Sequence, residues 1–268
     1  MANILFTDAL RKDYENLFNS CVIRQERVSA VEATITNLIA NRNRYQNVSD
    51  AQGIPWSFVA VIHNMEANLD FTRHLHNGDP LTSRTVQVPA GRPKRGNPPF
   101  TWEESAADAL SMRGLNAQTD WSLSGTLYQL ERYNGWGYRQ FHPNVLTPYL
   151  WCYSNNYTSG KYVADGTWSD TAVSRQCGSA VLLRRMAEMN IIEFTDQPAP
   201  QPDAPPLVVN YAMQQSPDPL VSKRVKDLQN WLNTFPGIFV KPDGIPGFMT
   251  SDAYKKVTGS FLPGDPRV

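Results

Sequence analysis

Apolar residues recur at helical spacing along most of the chain. Val28, Val31, Ile35, Leu38 and Ile39 form one such stripe in a polar background, which predicts an amphipathic helix. A break follows at Asp50–Gly53. Pro55 then suits the first turn of a new helix, because its missing N–H has no intrahelical partner there. That helix is predicted to run through Trp56, Phe58, Val59, Val61 and Ile62 to about Glu66. It is apolar on most faces, the pattern of a buried central helix. Thr101 and Glu104 match a capping box that opens a helix through Ala106, Ala109 and Leu110. Leu123, Leu127 and Leu130 mark another, with a glycine stop at Tyr133-Asn134-Gly135. A last helix of this region is expected at about 171–189. Asn77-Gly78, between threonine- and valine-containing segments, carries the chemistry of a β-hairpin turn. Residues 90–99 read as a proline- and glycine-rich loop with three basic residues, and Tyr149 to Trp168 as an aromatic-rich irregular stretch. The fold class expected is α+β, mostly α, with one small β-hairpin just after the central helix.

Residues 196–206, DQPAPQPDAPP, are rich in proline and poor in large apolar groups, the composition of a semi-extended linker. The organisation expected is a body over 1–195, a proline-rich linker over 196–217 and a small domain over 218–268. In the tail, Val221, Val225, Leu228 and Leu232 recur at helical spacing, followed by a tight turn region and a further short helix.

A length of 268 residues fits one large domain with a small one, and 41% hydrophobic residues are enough for a real core. A formal net charge of +0 argues against a general nucleic-acid binder, which carries a basic surplus. Three cysteines, Cys21, Cys152 and Cys177, are too few and too odd a number for a disulfide framework, and are expected to be reduced and buried. The N-terminal residues have no basic region followed by a sustained apolar core, so no signal peptide is expected. The protein is expected to be made in the bacterial cytoplasm and to reach a substrate in the periplasm by release or export. No run of 18 apolar residues occurs, so membrane insertion is not expected. A monomer without cofactor is expected.

Glu66 ends the apolar helix, with Ile62 and Val59 on its own face. Burial against them disfavours the carboxylate and raises its pKa, and the negative end of the helix dipole acts in the same direction. A carboxyl kept protonated near neutral pH suits a general acid at a glycosidic oxygen. Asp79, at the expected hairpin turn, is the candidate second carboxylate, with Asp70 as the lesser choice. Thr85 and Thr82 on the returning segment are candidates to hold a water. Asn-Gly-Asp-Pro is also sound turn chemistry in its own right. His74 and His76 alternate on one segment, but His-x-His alone does not make a three- or four-ligand zinc site, and no metal is expected.

These residues carry a resemblance. The run IPWSFVAVIHNMEANLDF resembles the catalytic helix of the goose-type lysozyme and soluble lytic transglycosylase group, in which a glutamate ends a buried helix. Where that group often places a serine after the glutamate, this chain has Ala67. ERYNGWGYR is similar to the group's Tyr-Asn-x-Gly segment, which implies that Tyr133 lies near the acid, with Asn134 and Gly135 beside it. The spacing from Glu66 to Asp79 is similar to that of the goose-type enzymes, in which an aspartate helps position water. The tail resembles the small three-helix peptidoglycan-binding module, whose pattern is filled by Val225, Leu228, Gln229, Leu232, Asp243, Gly244, Gly247, Thr250 and Ala253. Thr250 is expected to cap the helix that follows it. Tyr149, Asn155, Tyr157 and Tyr162, together with Tyr133 and Asn134, are candidates to contact N-acetyl sugars, since such sites pair aromatic rings with amide groups.

The resemblance implies an endolysin-like muramidase that cuts peptidoglycan between N-acetylmuramic acid and N-acetylglucosamine, with Glu66 as acid and Asp79 or a nearby threonine holding the water. A lytic transglycosylase, in which Glu66 acts alone and the product ends in a 1,6-anhydro sugar, stays open. So does a non-catalytic wall-binding protein.

Overall fold

The computed structural model describes residues 4–189, 191–194 and 209–268, so the proline-rich segment 196–206 lies outside the described residues. The fold is mostly helical. Helices α1 (Asp8–Asn19), α2 (Val28–Ala40), α3 (Arg42–Gln52) and α4 (Trp56–Ala67) come first, with a 3₁₀ turn at Gln25–Arg27. Then follow α5 (Trp102–Met112), α6 (Leu123–Asn134), α7 (Gly137–Phe141) and α8 (Pro148–Trp151). Strands β1 (Lys161–Ala164) and β2 (Thr167–Ser169) precede α9 (Ser179–Glu188), and the tail holds α10 (Pro219–Leu232) and α11 (Phe248–Thr258). By internal contacts the chain divides into two compact units, Met1–Tyr14 with Cys21–Met186 and Glu15–Ser20 with Ala187–Val268. Among the described residues no helix is long and apolar enough to cross a membrane.

In the first unit α4 is the buried helix its composition predicts: Phe58, Val59, Ala60, Val61, Ile62 and His63 have no exposed surface. Helix α3 packs on α4 and α5, and α6 on α4 and α8. Gly53 stops α3 in a left-handed conformation, φ +67°, and a Cβ there would lie 2.5 Å from that of Ala117, so only glycine fits. Pro55 occupies the N-cap of α4. Thr101 and Glu104 form both halves of the capping box at α5. Helix α6 stops at Gly135 as expected.

The β element is not where the sequence pattern puts it. Around Asn77-Gly78 only one isolated bridge forms, between Arg73 and Pro80. The turn itself is present, with Gly78 at φ +77°. The ladder stops after that bridge because the next bond would join the Thr72 N–H to the Leu81 carbonyl, and Asp70 accepts the first while the Phe100 N–H donates to the second. The two-stranded antiparallel sheet lies at β1–β2 instead, within the stretch expected to be irregular, turning at Asp165-Gly166. The last helix of the unit begins at Ser179 and not near 171. Gly178 is held tightly, since a Cβ there would meet the Leu150 carbonyl oxygen at 2.2 Å.

His63 is packed among Tyr45, Phe71 and Trp102, with its Nδ1 3.1 Å from the Tyr45 hydroxyl. Burial holds its pKa down to about 4. The folded state therefore keeps the ring neutral. Its contribution to stability is full above the unfolded value near 6.5 and is lost as pH falls from there toward 4, about 3 kcal/mol in all. Urea unfolding at pH 7 and at pH 4.5 is expected to show that loss, and His63→Gln is expected to reduce it. An unchanged difference in the variant would rule His63 out as its source.

In the second unit Val225, Leu228 and Leu232 of α10 meet Ala253, Tyr254 and Val257 of α11, with Val209, Phe235, Ile238, Val240 and Leu262 closing the core. Two helices, not three, are found among residues 209–268. Asp218 N-caps α10, but Thr250 does not cap α11. Gly247 stands at that N-cap without a side-chain bond, and the Thr250 hydroxyl faces inward, donating to the Ile245 carbonyl and accepting from Gln229.

Candidate functional site

Glu66 lies in the last turn of α4, which ends through an unusual pair of residues. Asn68 and Leu69 both have positive φ, 49° and 62°. Asparagine tolerates the left-handed region, whereas leucine there is strained. Bonds at Asp70 to the Thr72 N–H, the Thr72 hydroxyl and Arg73 hold the following turn in place. The carbonyls of Asn64 and Met65, which a longer helix would have satisfied, accept from Gln176 Nε2 at 2.9 and 3.0 Å. The acid is thus fixed at a helix end pinned by a side chain from a distant loop.

Three side chains surround the carboxyl. The Tyr149 hydroxyl donates to Glu66 Oε1 at 2.8 Å. Tyr133 from α6 is close enough to feel the Glu66 charge, and the guanidinium of Arg113, just past α5, sits 4.7 Å from the centroid of its ring. Burial pushes the Glu66 carboxyl above the usual carboxylate range. The Tyr149 hydrogen bond and the positive charge of Arg113 oppose that without cancelling it. Burial and the neighbouring Glu66 charge likewise push the Tyr149 phenol up, so it remains a donor at all ordinary pH.

Removing the opposing bond has a definite sign. Tyr149→Phe is expected to raise the Glu66 pKa further, because the lost donor favoured the ionised form. The carboxyl carbon resonance of Glu66, followed against pH, reads this directly. A downward shift would show that Tyr149 acts in some other way.

Tyr149 owes its place to local chemistry. Pro148 starts α8, Thr147 caps it by accepting the Tyr149 N–H, and Ser179 Oγ donates to the Tyr149 carbonyl. Asn134 Nδ2 reaches Thr147 Oγ1 at 3.3 Å, so this residue supports the cap.

The other residues singled out in the sequence are placed differently. Asp79 is buried, and its Oδ2 accepts from the Val86 and Gln87 N–H groups and from Asn77, which together hold its pKa below the ordinary value, the Val86 bond most of all. Thr85 Oγ1 donates to the Pro89 carbonyl and accepts from the Arg92 N–H. Both build the 79–92 loop, and none of these bonds reaches Glu66. Asn155 pairs with the backbone of Val22. The Tyr157 hydroxyl lies between the Gly160 carbonyl and the Ser174 N–H. Tyr162 belongs to an aromatic group with the buried Tyr138 and the half-buried His142 and Trp168, in which His142 and Trp168 stack with centroids 3.4 Å apart.

His74 and His76 are engaged with one another's surroundings. His74 bonds Ser105 Oγ and the Ser83 carbonyl, while His76 bonds Asp108 at 2.8 Å and lies 3.5 Å from Ser105 Oγ. The arrangement has the elements of a serine–histidine–aspartate relay. Ser105 and the His76 side chain have no exposed surface, however, and Ser105 Oγ also accepts the Leu75 N–H. It anchors the loop after α4 to α5. No cluster of three or more potential metal ligands occurs among the described residues.

Arg113 and Gln176 were not expected from the sequence. An arginine before Gly114 reads as ordinary helix-end chemistry, and Gln176 lies in no periodic pattern. Comparison with known proteins returns no match to a family model, to a curated protein or to a solved structure.

Proposed function

We propose that this chain cuts the glycan strands of bacterial peptidoglycan, with Glu66 as the general acid. The observation that carries the reading is the state of that carboxyl. It ends a buried helix, its pKa is raised by burial, and a tyrosine hydroxyl fixes one oxygen so that the other is left to protonate a leaving oxygen. Tyr133, Tyr149 and Arg113 orient the acid and shape its field. The tail, by its resemblance to a wall-binding module, would hold the enzyme on its polymer and raise the local substrate concentration.

Between the two chemistries, one observation favours the lytic transglycosylase over the hydrolase. An inverting hydrolase needs a second carboxylate free to hold water. The three bonds to Asp79 come from its own loop to Oδ2 and none joins it to Glu66, which supports Glu66 serving as acid and then base. Digestion of purified peptidoglycan with the full chain, followed by mass spectrometry, tests this. Fragments with 1,6-anhydro ends, lighter by one water than reducing-end fragments, are expected. Reducing ends would assign a muramidase with water as the acceptor. Intact strands with protein bound to them would replace the enzyme by a wall-binding protein.

A further inference from the structure

A second acidic group lies in the first unit, away from the bonds that surround Glu66. Glu131 is on α6, two residues before Tyr133, and is 2% exposed. Its Oε2 accepts the Tyr14 hydroxyl at 2.5 Å and Arg139 Nε at 2.8 Å. Its Oε1 accepts no hydrogen bond from any described residue. It is not sealed in, because Glu131 lines a recess of about 90 Å³ together with Arg139, Val145, Leu146, Thr147 and Trp151. The recess thus presents a carboxylate oxygen with its acceptor capacity unused by the protein, ready for an entering donor.

The chemistry of the walls selects the donor. Both terminal nitrogens of Arg139 are directed to Asp13 at 3.3 Å, and Nε is spent on Glu131. One guanidinium thus faces two carboxylates, and the local sum is one negative charge. That excludes an anion and favours a cation with N–H donors. Val145, Leu146 and Trp151 offer apolar surface to methylenes. The volume is well below the roughly 300–1,000 Å³ of pockets that take whole ligands. The recess therefore fits the end of a chain and not a sugar ring.

We propose that this recess binds the end of a primary aminoalkyl chain, its ammonium donating to Glu131 Oε1 and its methylenes lying against Val145, Leu146 and Trp151. The proposal does not depend on peptidoglycan being the substrate.

Titration of the full chain with n-butylammonium tests it, followed by calorimetry and by the indole N–H resonance of Trp151. Binding with a Kd on the order of 1–10 mM is expected for so small a ligand, with n-butanol and n-butyrate at least about tenfold weaker. Glu131→Gln is expected to weaken n-butylammonium by about tenfold or more. Since that variant also disturbs Tyr14 and Arg139, Val145→Phe provides a second arm. It fills the recess, leaves the Glu131 bonds in place and is expected to abolish binding. Equal binding of n-butanol, binding that survives Val145→Phe, or no shift at Trp151 would each overturn the proposal. The last result would mean that water alone satisfies Oε1.

Discussion

Glu66→Gln is expected to lower strand cleavage by about 10²–10⁴-fold, the share that a positioned acid supplies, while leaving the fold intact. The amide keeps the shape of the acid and can still accept the Tyr149 hydroxyl, but it has no proton of suitable acidity for a leaving oxygen. The same substitution carries a second, independent sign. Burial raises the Glu66 pKa in the folded state, so ionising it costs stability above the unfolded value and costs nothing well below it. Glu66→Gln is therefore expected to be as stable as the parent at low pH and more stable near neutrality, the trade of stability for function seen at many active sites. Fragment release and thermal unfolding at two pH values read both effects. Unchanged cleavage would remove Glu66 from the mechanism. A variant less stable at neutral pH would show that the charged carboxyl is better satisfied than its surroundings indicate.

Gln229→Ala is expected to disrupt the second unit. Gln229 is 1% exposed, and its amide is the hub of the turn between α10 and α11. Nε2 donates to Asp243, to the Ile245 carbonyl and to Thr250, and Oε1 accepts the Gly244 N–H. Ile245 and Asp243 have other partners, but the Gly244 N–H is left buried and unpaired in the variant. With the loss of packing, about 2–4 kcal/mol is expected, a large part of a small unit's stability. Hydrogen exchange resolved to peptides of 219–258 in the full chain measures it. Protection within about 0.5 kcal/mol of the parent would show that the hub is replaceable. If the tail tethers the protein to the wall, the same variant is expected to lose wall retention before it loses turnover on short fragments.

Much of the scaffold could be read in advance because its signals are local. The capping box at Thr101 and Glu104, the stops at Gly53 and Gly135 and the stripes of α2, α4, α6 and α10 depend on contacts within a few residues. The misplaced hairpin shows where local reading ends. Asn77-Gly78 does turn, but whether a turn extends into a ladder depends on which backbone groups remain free, and the Thr72 N–H is taken by Asp70 and the Leu81 carbonyl by the Phe100 N–H. Asp79 was legible as a residue with a task. That the task is to build a loop was decided by its partners.

The candidate acid divides in the same way. Its place at the end of an apolar helix follows from residues 56–66 alone, and so does the direction of its pKa shift, because burial on such a helix depends chiefly on periodicity. The identity of its neighbours does not. Tyr149, Arg113 and Gln176 lie 83, 47 and 110 positions away along the chain. Only the packing of α6 and α8, the end of α5 and the loop before α9 brings them to one helix terminus. Sequence determined that this carboxyl would end a buried helix, since hydrophobic burial follows a pattern that repeats every few residues. Tertiary structure decided what that carboxyl touches, since hydrogen bonds and charges act over a few ångströms in space whatever their distance along the chain.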